Sequence, residues 1–301
     1  MRYALCPMLR LGEKQMTAEK TDLAYPVIPA DRGDDLHNLE FVDSADLVLF
    51  VAGNQFMVMG ELLGAFQDQY PGINRIFYET LPPGLELKQI LAGGALFIDK
   101  LIDVRPDVYA SVSEAAMKQL EAKNLISAED YFLYLHNRIV LMVPEGNPAR
   151  INSVQDLGRS EVRISQPNPE YEDIAFHIMD MYRDAGGETL VHLIMEEKRA
   201  EGTTILTTVH HRETPLRVEK KEVDVGPVWA TEIRHAQQNK LPVDVVDPGE
   251  GLDQREKINY YICPLKGSAN PENGEKFLKF IQSSKAQGIY EKYGFVPHFS
   301  T

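Results

Sequence analysis

The sequence predicts an α/β fold built on mainly parallel sheets with helices on both faces. Three observations carry that reading. Strand-like and helix-like segments alternate from about residue 47 to the C-terminus. The strand segments are short unbroken apolar runs, as in LVLFVA (47–52) and RIVLMV (138–143). A Pro/Gly-rich turn, PEGNPARI (144–151), separates two such alternating units. Strands buried on both faces read as continuous apolar runs, and their alternation with helices is the pattern of parallel crossovers.

Residues 1–43 are polar, Pro-containing and without sustained periodicity, which predicts an irregular N-terminal extension. The run LVLFVA then ends at Gly53-Asn54-Gln55. The segment FMVMGELLGAFQDQ (56–69) places Phe56, Met59, Leu62, Leu63 and Phe66 on one helical face, and Pro71-Gly72 stops it. NRIFYE (74–79) is a second strand, ending at Glu79-Thr80 ahead of Pro82-Pro83-Gly84. Ligands of such folds sit beyond the carboxyl ends of strands, where helices begin, so these two corners are the first candidate site.

GLELKQILAG (84–93) predicts a short helix, DVYAS (107–111) a strand, and SEAAMKQLEA (113–122) a helix with Ser113 as N-cap. RIVLMV closes the first unit. In the second, strands are predicted at 162–165, 204–208, 223–229, 242–246 and 258–264. Helices are predicted at 174–183, 187–202, 231–238, 271–282 and 284–292. The segment His210-His211-Arg212-Glu213-Thr214-Pro215 is a loop or helix start, with Pro215 suited to a first turn.

The chain has 301 residues, 44% apolar and 25% charged, enough for two ordinary domains and a large core. Acidic residues outnumber basic ones 45 to 31, for a net charge of −14, and no basic run marks a nucleic-acid face. Two cysteines, Cys6 and Cys263, exclude a disulfide framework, and two free thiols are expected. No stretch approaches the roughly 18 apolar residues of a membrane span. Pro7 and Arg10 break the N-terminal apolar segment, so MRYALCPMLRLGEKQ is a poor export signal. The motifs of nucleophile elbows, phosphate loops, zinc helices and dinucleotide folds are missing from the sequence.

Several segments together resemble a known family. VYASVSEAAMKQLEAKNLI (108–126) and NRIVLMVPEGNPARINSVQDL (137–157) resemble the hinge region of type II periplasmic solute-binding proteins. EVDVGPVWATE (222–232) resembles the return to that hinge. YYICPLKGSANPENGEKFLKFIQSSKAQGIYEKYGF (260–295), with its strand, G-S-x-N-P-E turn and paired helices, resembles the closing segment. The molybdate- and tungstate-binding branch is nearest in order and spacing, over roughly residues 46–297. The resemblance implies two lobes joined by a two-strand hinge, with a ligand cleft between them: lobe I from 44–137 plus 262–301, lobe II from 138–261. It also implies capture of a small oxyanion for an ABC-type importer, with no cofactor. The branch binds through neutral donors, backbone N–H groups and hydroxyls, consistent with positive potential at helix N-termini. That would reconcile anion capture with an acidic chain.

The site residues expected on this basis are Asn54 and Gln55 at the first corner, Thr80 at the second, Ser111 after the third strand, and Asn168 in the second unit. His210, His211, Arg212, Thr214 and Trp229 complete the set. The chain departs from the branch at Asn54, where a Ser is usual, at Thr80 ahead of two prolines, at the His210–Arg212 segment, and at Trp229, where a Tyr is usual. Each residue has a plainer reading. Asn54, Gln55 and Thr80 are also turn formers at helix starts. Ser113 is a cap, and Asn168 lies in a rigid Pro-turn. Adjacent histidines in a strand point to opposite faces, so an anion clamp by Arg212 and one histidine is favoured over a metal site completed by Glu79 or Glu213. A solvated loop is the plain alternative. Trp229 is either a stacking platform or core. Glu79, beside Thr80, either points away from an anion or binds a cation or amine.

The expected function is therefore a non-catalytic solute-binding protein working with importer membrane subunits if it is exported, with no metal and no nucleic acid. Two rivals share the scaffold: a cytoplasmic sensor, motivated by the poor export signal, or an enzyme using His210, His211 or Glu79 as base. An organic anion is the alternative ligand.

Overall fold

The computed structural model describes residues 25–170, 172, 174–208 and 213–300. Its larger sheet has seven strands in the order Val296–Pro297, Phe132–His136, Asn259–Pro264, Val108–Ser111, Leu47–Phe50, Ile76–Glu79, Leu36–His37. Leu47–Phe50 lies at the centre of a parallel trio, with Leu47 opposite Ile76 and Leu49 opposite Val108. All four of its residues are buried, as its continuous apolar run requires. The remaining pairings are antiparallel, so the sheet is mixed. Of those strands, Phe132–His136 leads into the second sheet and Asn259–Pro264 returns from it, while Leu36–His37 and Val296–Pro297 pair at the two edges.

That second sheet centres on Ile139–Pro144, antiparallel to Gly226–Trp229 on one side and Val243–Val246 on the other. Ile164–Gln166 pairs in parallel with Thr204–Leu206, and Ile164 bridges to Val225. The chain passes between the sheets within two residues, from Phe132–His136 to Ile139–Pro144, and returns ahead of Asn259–Pro264. Two backbone bonds tie these crossings: Asn137 N–H to the Ile258 carbonyl at 3.3 Å, and Ile139 N–H to the Asp253 carbonyl at 2.8 Å.

Helices cover both faces. Phe56–Gln69 buries Val58, Met59, Leu62, Leu63, Ala65 and Phe66, which includes the face its periodicity predicts except Phe56, left partly exposed. Phe66 meets Phe277 edge-on at 5.3 Å, joining this helix to Pro271–Ile281. One of three hydrophobic clusters runs from Leu47 through Tyr134 and Ile139 to Trp229 and Tyr290, bridging both sheets. The two helices expected at 174–183 and 187–202 meet at Gly187, whose φ of 68° and ψ of −170° interrupt the helical path. Such a conformation suits glycine, which has no Cβ to clash.

Six short strands were not legible in the sequence, Leu36–His37 and Val296–Pro297 at the edges of the large sheet among them. Phe132–His136 mixes half-buried and buried positions, and Ala95–Phe97, Lys100–Ile102 and Val27–Ile28 form a small separate sheet. Of the predicted irregular extension, residues 25–43 contribute Val27–Ile28 to that sheet and Leu36–His37 to the large one. Two-residue strands carry no periodicity, because their pairing comes from the edge they meet.

Candidate functional site

The first corner is a tight turn, Gly53–Gln55, between the central strand and the helix Phe56–Gln69. The amides entering the helix bond back into the turn, Gln55 N–H to the Ala52 carbonyl at 2.8 Å and Phe56 N–H to the Gly53 carbonyl. Asn54 Nδ2 donates to the Tyr260 hydroxyl. Asn137 Nδ2 reaches the same hydroxyl at 3.3 Å and Thr231 Oγ1 at 3.4 Å. Asn54 is thereby linked to both inter-sheet crossings and to the first turn of the helix Ala230–Gln238. Gln55 faces the core, its Oε1 accepting from the hydroxyls of Tyr134 at 3.0 Å and Tyr290 at 3.1 Å. Burial pushes these phenols and that of Tyr260 upward, so they stay protonated donors across the physiological range. Asn54 Oδ1 and Gln55 Nε2 are buried without a hydrogen-bond partner among the described residues.

The second corner lies directly against the first. A Cβ on Gly53 would stand 2.8 Å from the Thr80 carbonyl oxygen and 3.3 Å from that of Leu81. Only a glycine allows the two turns to meet this closely. Thr80 N–H donates to the Asp35 carbonyl at 2.9 Å, and Thr80 Oγ1 lies 2.9 Å from His37 Nε2. Leu81 N–H donates to Glu86 Oε1 at 3.1 Å. Pro82 and Pro83 have no N–H, so Gly84 carries the first amide of the helix Pro83–Ala92. Tyr109 ties the third parallel strand to this corner, its hydroxyl donating to the Pro83 carbonyl at 3.0 Å. Ser111 is buried two residues on, its Oγ accepting from Ser113 N–H at 3.3 Å. Ser113 occupies the N-cap position, but its side chain makes no capping bond.

In the second sheet, Trp229 ends its strand and sits in the N-cap position of Ala230–Gln238. It is 5% exposed, with the His177 ring centroid 6.0 Å from its own. Thr214 is buried, its Oγ1 2.9 Å from Ser165 Oγ, and Arg217 Nη1 reaches that serine oxygen at 3.2 Å. Asn168 N–H donates to Thr207 Oγ1 at 3.0 Å, and the Thr207 hydroxyl donates to Glu172. His210, His211 and Arg212 lie outside the described residues.

Asn54, Gln55, Thr80 and Ser111 thus gather at the carboxyl ends of three adjacent parallel strands. Asn168 bonds just beyond the paired strands Ile164–Gln166 and Thr204–Leu206, Thr214 bonds Ser165 within the first of them, and Trp229 stands next to the crossings. Sequence reasoning missed Tyr260, Asn137 and Thr231. Tyr260 and Asn137 belong to segments read only as strands or linkers, and nothing local shows that their side chains converge on Asn54. It also missed Glu232, which is buried in the first turn of Ala230–Gln238 and lies near enough to help raise the Tyr260 phenol, after burial itself. A groove of about 320 Å³ adjoins this region, lined by Phe56 and Met57 on one side and Leu216 and His235 on the other. Among the described residues, no three or more His, Cys, Asp or Glu are placed to hold a metal ion, and no helix is long and apolar enough to cross a membrane.

Comparison with known proteins follows the same outline. The chain is 26% identical over 189 residues to YvgL of Bacillus subtilis, a lipoprotein assigned to the substrate-binding class of ABC transporters; that match covers 63% of this chain and 66% of YvgL. It is 24% identical over 259 residues to the molybdate-binding protein ModA of Haemophilus influenzae, covering 85% of this chain and 91% of ModA. Among solved structures, the periplasmic molybdate-binding protein of Azotobacter vinelandii superposes with a TM-score of 0.64 at 19% identity, covering 83% of this chain and 98% of that one. The sulfate-binding protein SubI of Mycobacterium tuberculosis gives 0.66 at 17%, covering 84% and 86%. These structural likenesses establish the shared fold. A family model for bacterial extracellular solute-binding proteins matches residues 47–296, and the chain belongs to that family.

Proposed function

We propose that this protein captures a tetrahedral oxyanion, molybdate or tungstate, in a cleft between its two sheets and delivers it to the membrane subunits of an ABC-type importer. The observation that carries the proposal is the contact of the two corners, with Gly53 pressed against the Thr80 carbonyl. It brings the starts of two helices, Phe56–Gln69 and Pro83–Ala92, to one spot at the carboxyl ends of parallel strands. Aligned peptide dipoles make such a spot favourable for an anion without a mobile countercharge, although the amides of Gln55, Phe56, Leu85 and Glu86 already bond to backbone carbonyls. The buried Gln55 Nε2, lacking a partner among the described residues, adds a donor beside it, whereas Asn54 Oδ1 is an acceptor that a fully ionised oxyanion would not satisfy. The identity to ModA over most of both chains supports the choice of oxyanion.

In this reading lobe I comprises 44–137 plus 262–301 and lobe II 138–261, and closure swings them about the crossings near Asn137 and Ile258. The contacts a ligand makes to both lobes only when closed would drive that motion. Ser111, Asn168, the segment His210 to Arg212, Thr214 and Trp229 would complete the cleft from its other sides.

One feature favours a second reading, an organic anion. Thr80 N–H and Leu81 N–H already have acceptors, and two prolines follow, so the second corner offers a tetrahedral ion few donors. A thermal-shift screen of molybdate, tungstate, sulfate, phosphate and small carboxylates decides between them. A ligand at about 100 times its Kd stabilises the fold by about 2.7 kcal/mol, a readily seen shift. Stabilisation by molybdate or tungstate below millimolar concentration is expected. Stabilisation by carboxylates alone would replace the oxyanion assignment with the organic one.

A further inference from the structure

Beneath the second corner lies a group of polar atoms that anion binding does not use. Glu79 closes its strand and Glu86 lies one turn into Pro83–Ala92, and both are fully buried. Glu79 Oε1 accepts from Gln89 Nε2 at 3.0 Å, and Glu86 Oε1 accepts from Leu81 N–H at 3.1 Å. The second oxygen of each carboxyl group, and Gln89 Oε1, are buried acceptors with no hydrogen-bond partner among the described residues. Buried acceptors cannot satisfy one another, whereas a carboxyl proton converts one acceptor into a donor.

The groups around the pair add little positive charge. The turn Ala30–Asp35 brings Asp35, whose carboxylate repels that of Glu86 and pairs with Arg32 at 3.2 Å. Leu36–His37 brings His37, which burial biases toward the neutral ring even with Asp35 and Asp34 nearby. Val108–Ser111 brings the Tyr109 phenol, with the Cys263 thiol close to it; burial pushes both upward. Burial likewise pushes Glu79 up to about 8, and burial together with the charge of Glu79 pushes Glu86 well above the carboxylate range.

We propose that Glu79 and Glu86 hold at least one proton between them at neutral pH, and that this proton-holding pair, rather than the doubly ionised one, is the anion-accepting state of the corner. Glu86 grips the amide of Leu81, one residue from Thr80, so its charge would act on an incoming anion through protein rather than water. Ionisation of the pair therefore opposes anion binding, and protonation permits it. The second half of this statement rests on the oxyanion reading; the first does not.

The test has two arms. Without ligand, unfolding free energies are measured in urea from about pH 5 to about pH 9 for the wild type and for the Glu79→Gln/Glu86→Gln double variant. A carboxyl group whose folded pKa lies above its unfolded value stabilises fully at low pH, and loses that stabilisation as pH climbs through the folded value. The wild type should weaken as pH rises from about 5 toward about 8, and the double variant should lose most of that slope. Identical slopes overturn the shared proton. If the double variant does not fold, the protonated-carboxyl infrared band of wild-type protein carrying ¹³C-labelled glutamate serves instead. It should be present at neutral pH and vanish at alkaline pH; its absence at neutral pH overturns the shared proton.

With molybdate as probe, calorimetry should find affinity at least about tenfold weaker near pH 9 than near pH 6.5 in the wild type, and nearly equal affinities in the Glu79→Gln/Glu86→Gln double variant. Equal affinities in the wild type overturn the gating. No molybdate binding at any pH removes the oxyanion reading and the gating together, while a pH-dependent stability difference would still establish the proton.

Discussion

The contact between the two corners can be tested with two Gly→Ala substitutions on one stretch of chain. At Gly53 the new methyl group would meet two backbone oxygens, at 2.8 Å and 3.3 Å. Backbone carbonyls cannot rotate aside as a side-chain tip can, so the turns must separate. Overpacking of this kind costs about 1–3 kcal/mol. Seven residues on, Gly60 is exposed within Phe56–Gln69 and an added Cβ meets nothing within 4 Å. There the substitution removes only glycine's excess freedom and should stabilise by about 0.5–1 kcal/mol. At roughly 2–4 °C per kcal/mol, Gly53→Ala should melt about 2–12 °C below the wild type and Gly60→Ala about 1–4 °C above it. Calorimetric or circular-dichroism melts read both, and ligand affinity should fall only in Gly53→Ala. A Gly53→Ala protein that melts with the wild type would refute the claim that the corners are locked together, and with it the geometry on which the proposed function depends.

Tyr260→Phe should cost about 1–3 kcal/mol in denaturant unfolding, because it leaves the amide nitrogens of Asn54 and Asn137 without their shared acceptor in a buried site; a neutral result would mean that water replaces the hydroxyl. In a Cys6→Ser background, Cys263 should resist thiol reagents until the protein unfolds, since it is buried, its thiol is pushed up by burial, and its Sγ–H points to the Tyr109 carbonyl at 3.7 Å. Prompt labelling of native protein would contradict that burial. Asp46 is held down to about 2 chiefly by its hydrogen bonds to the Arg75 side chain and amide. Its contribution to stability is present above the ordinary carboxyl value and is lost as pH falls through about 2. Arg75→Gln should move the Asp46 titration, followed by carboxyl NMR, upward toward 3.8.

The sequence alone determined the alternation of strands and helices, the buried central strand and the places where two strands hand over to helices. These are short-range matters: apolar runs, helical spacing and Pro/Gly stops act within a dozen residues. The family relation was also legible there, in the closing segment from Tyr260 to Phe295. Tertiary structure decided which polar groups share a site. Gln55 reads as a corner residue, yet its carbonyl oxygen is held by two tyrosines from Phe132–His136 and Ser284–Lys292, distant in sequence. Asn54 finds Tyr260 across 206 positions. Glu79 looked like a misplaced charge beside an anion site, and only the fold shows it buried against Glu86 and Gln89, where desolvation rather than a partner cation sets its state. Local propensity is written in neighbouring residues, whereas desolvation and hydrogen-bond pairing depend on what the folded chain brings within a few ångströms, and no window of sequence contains that information.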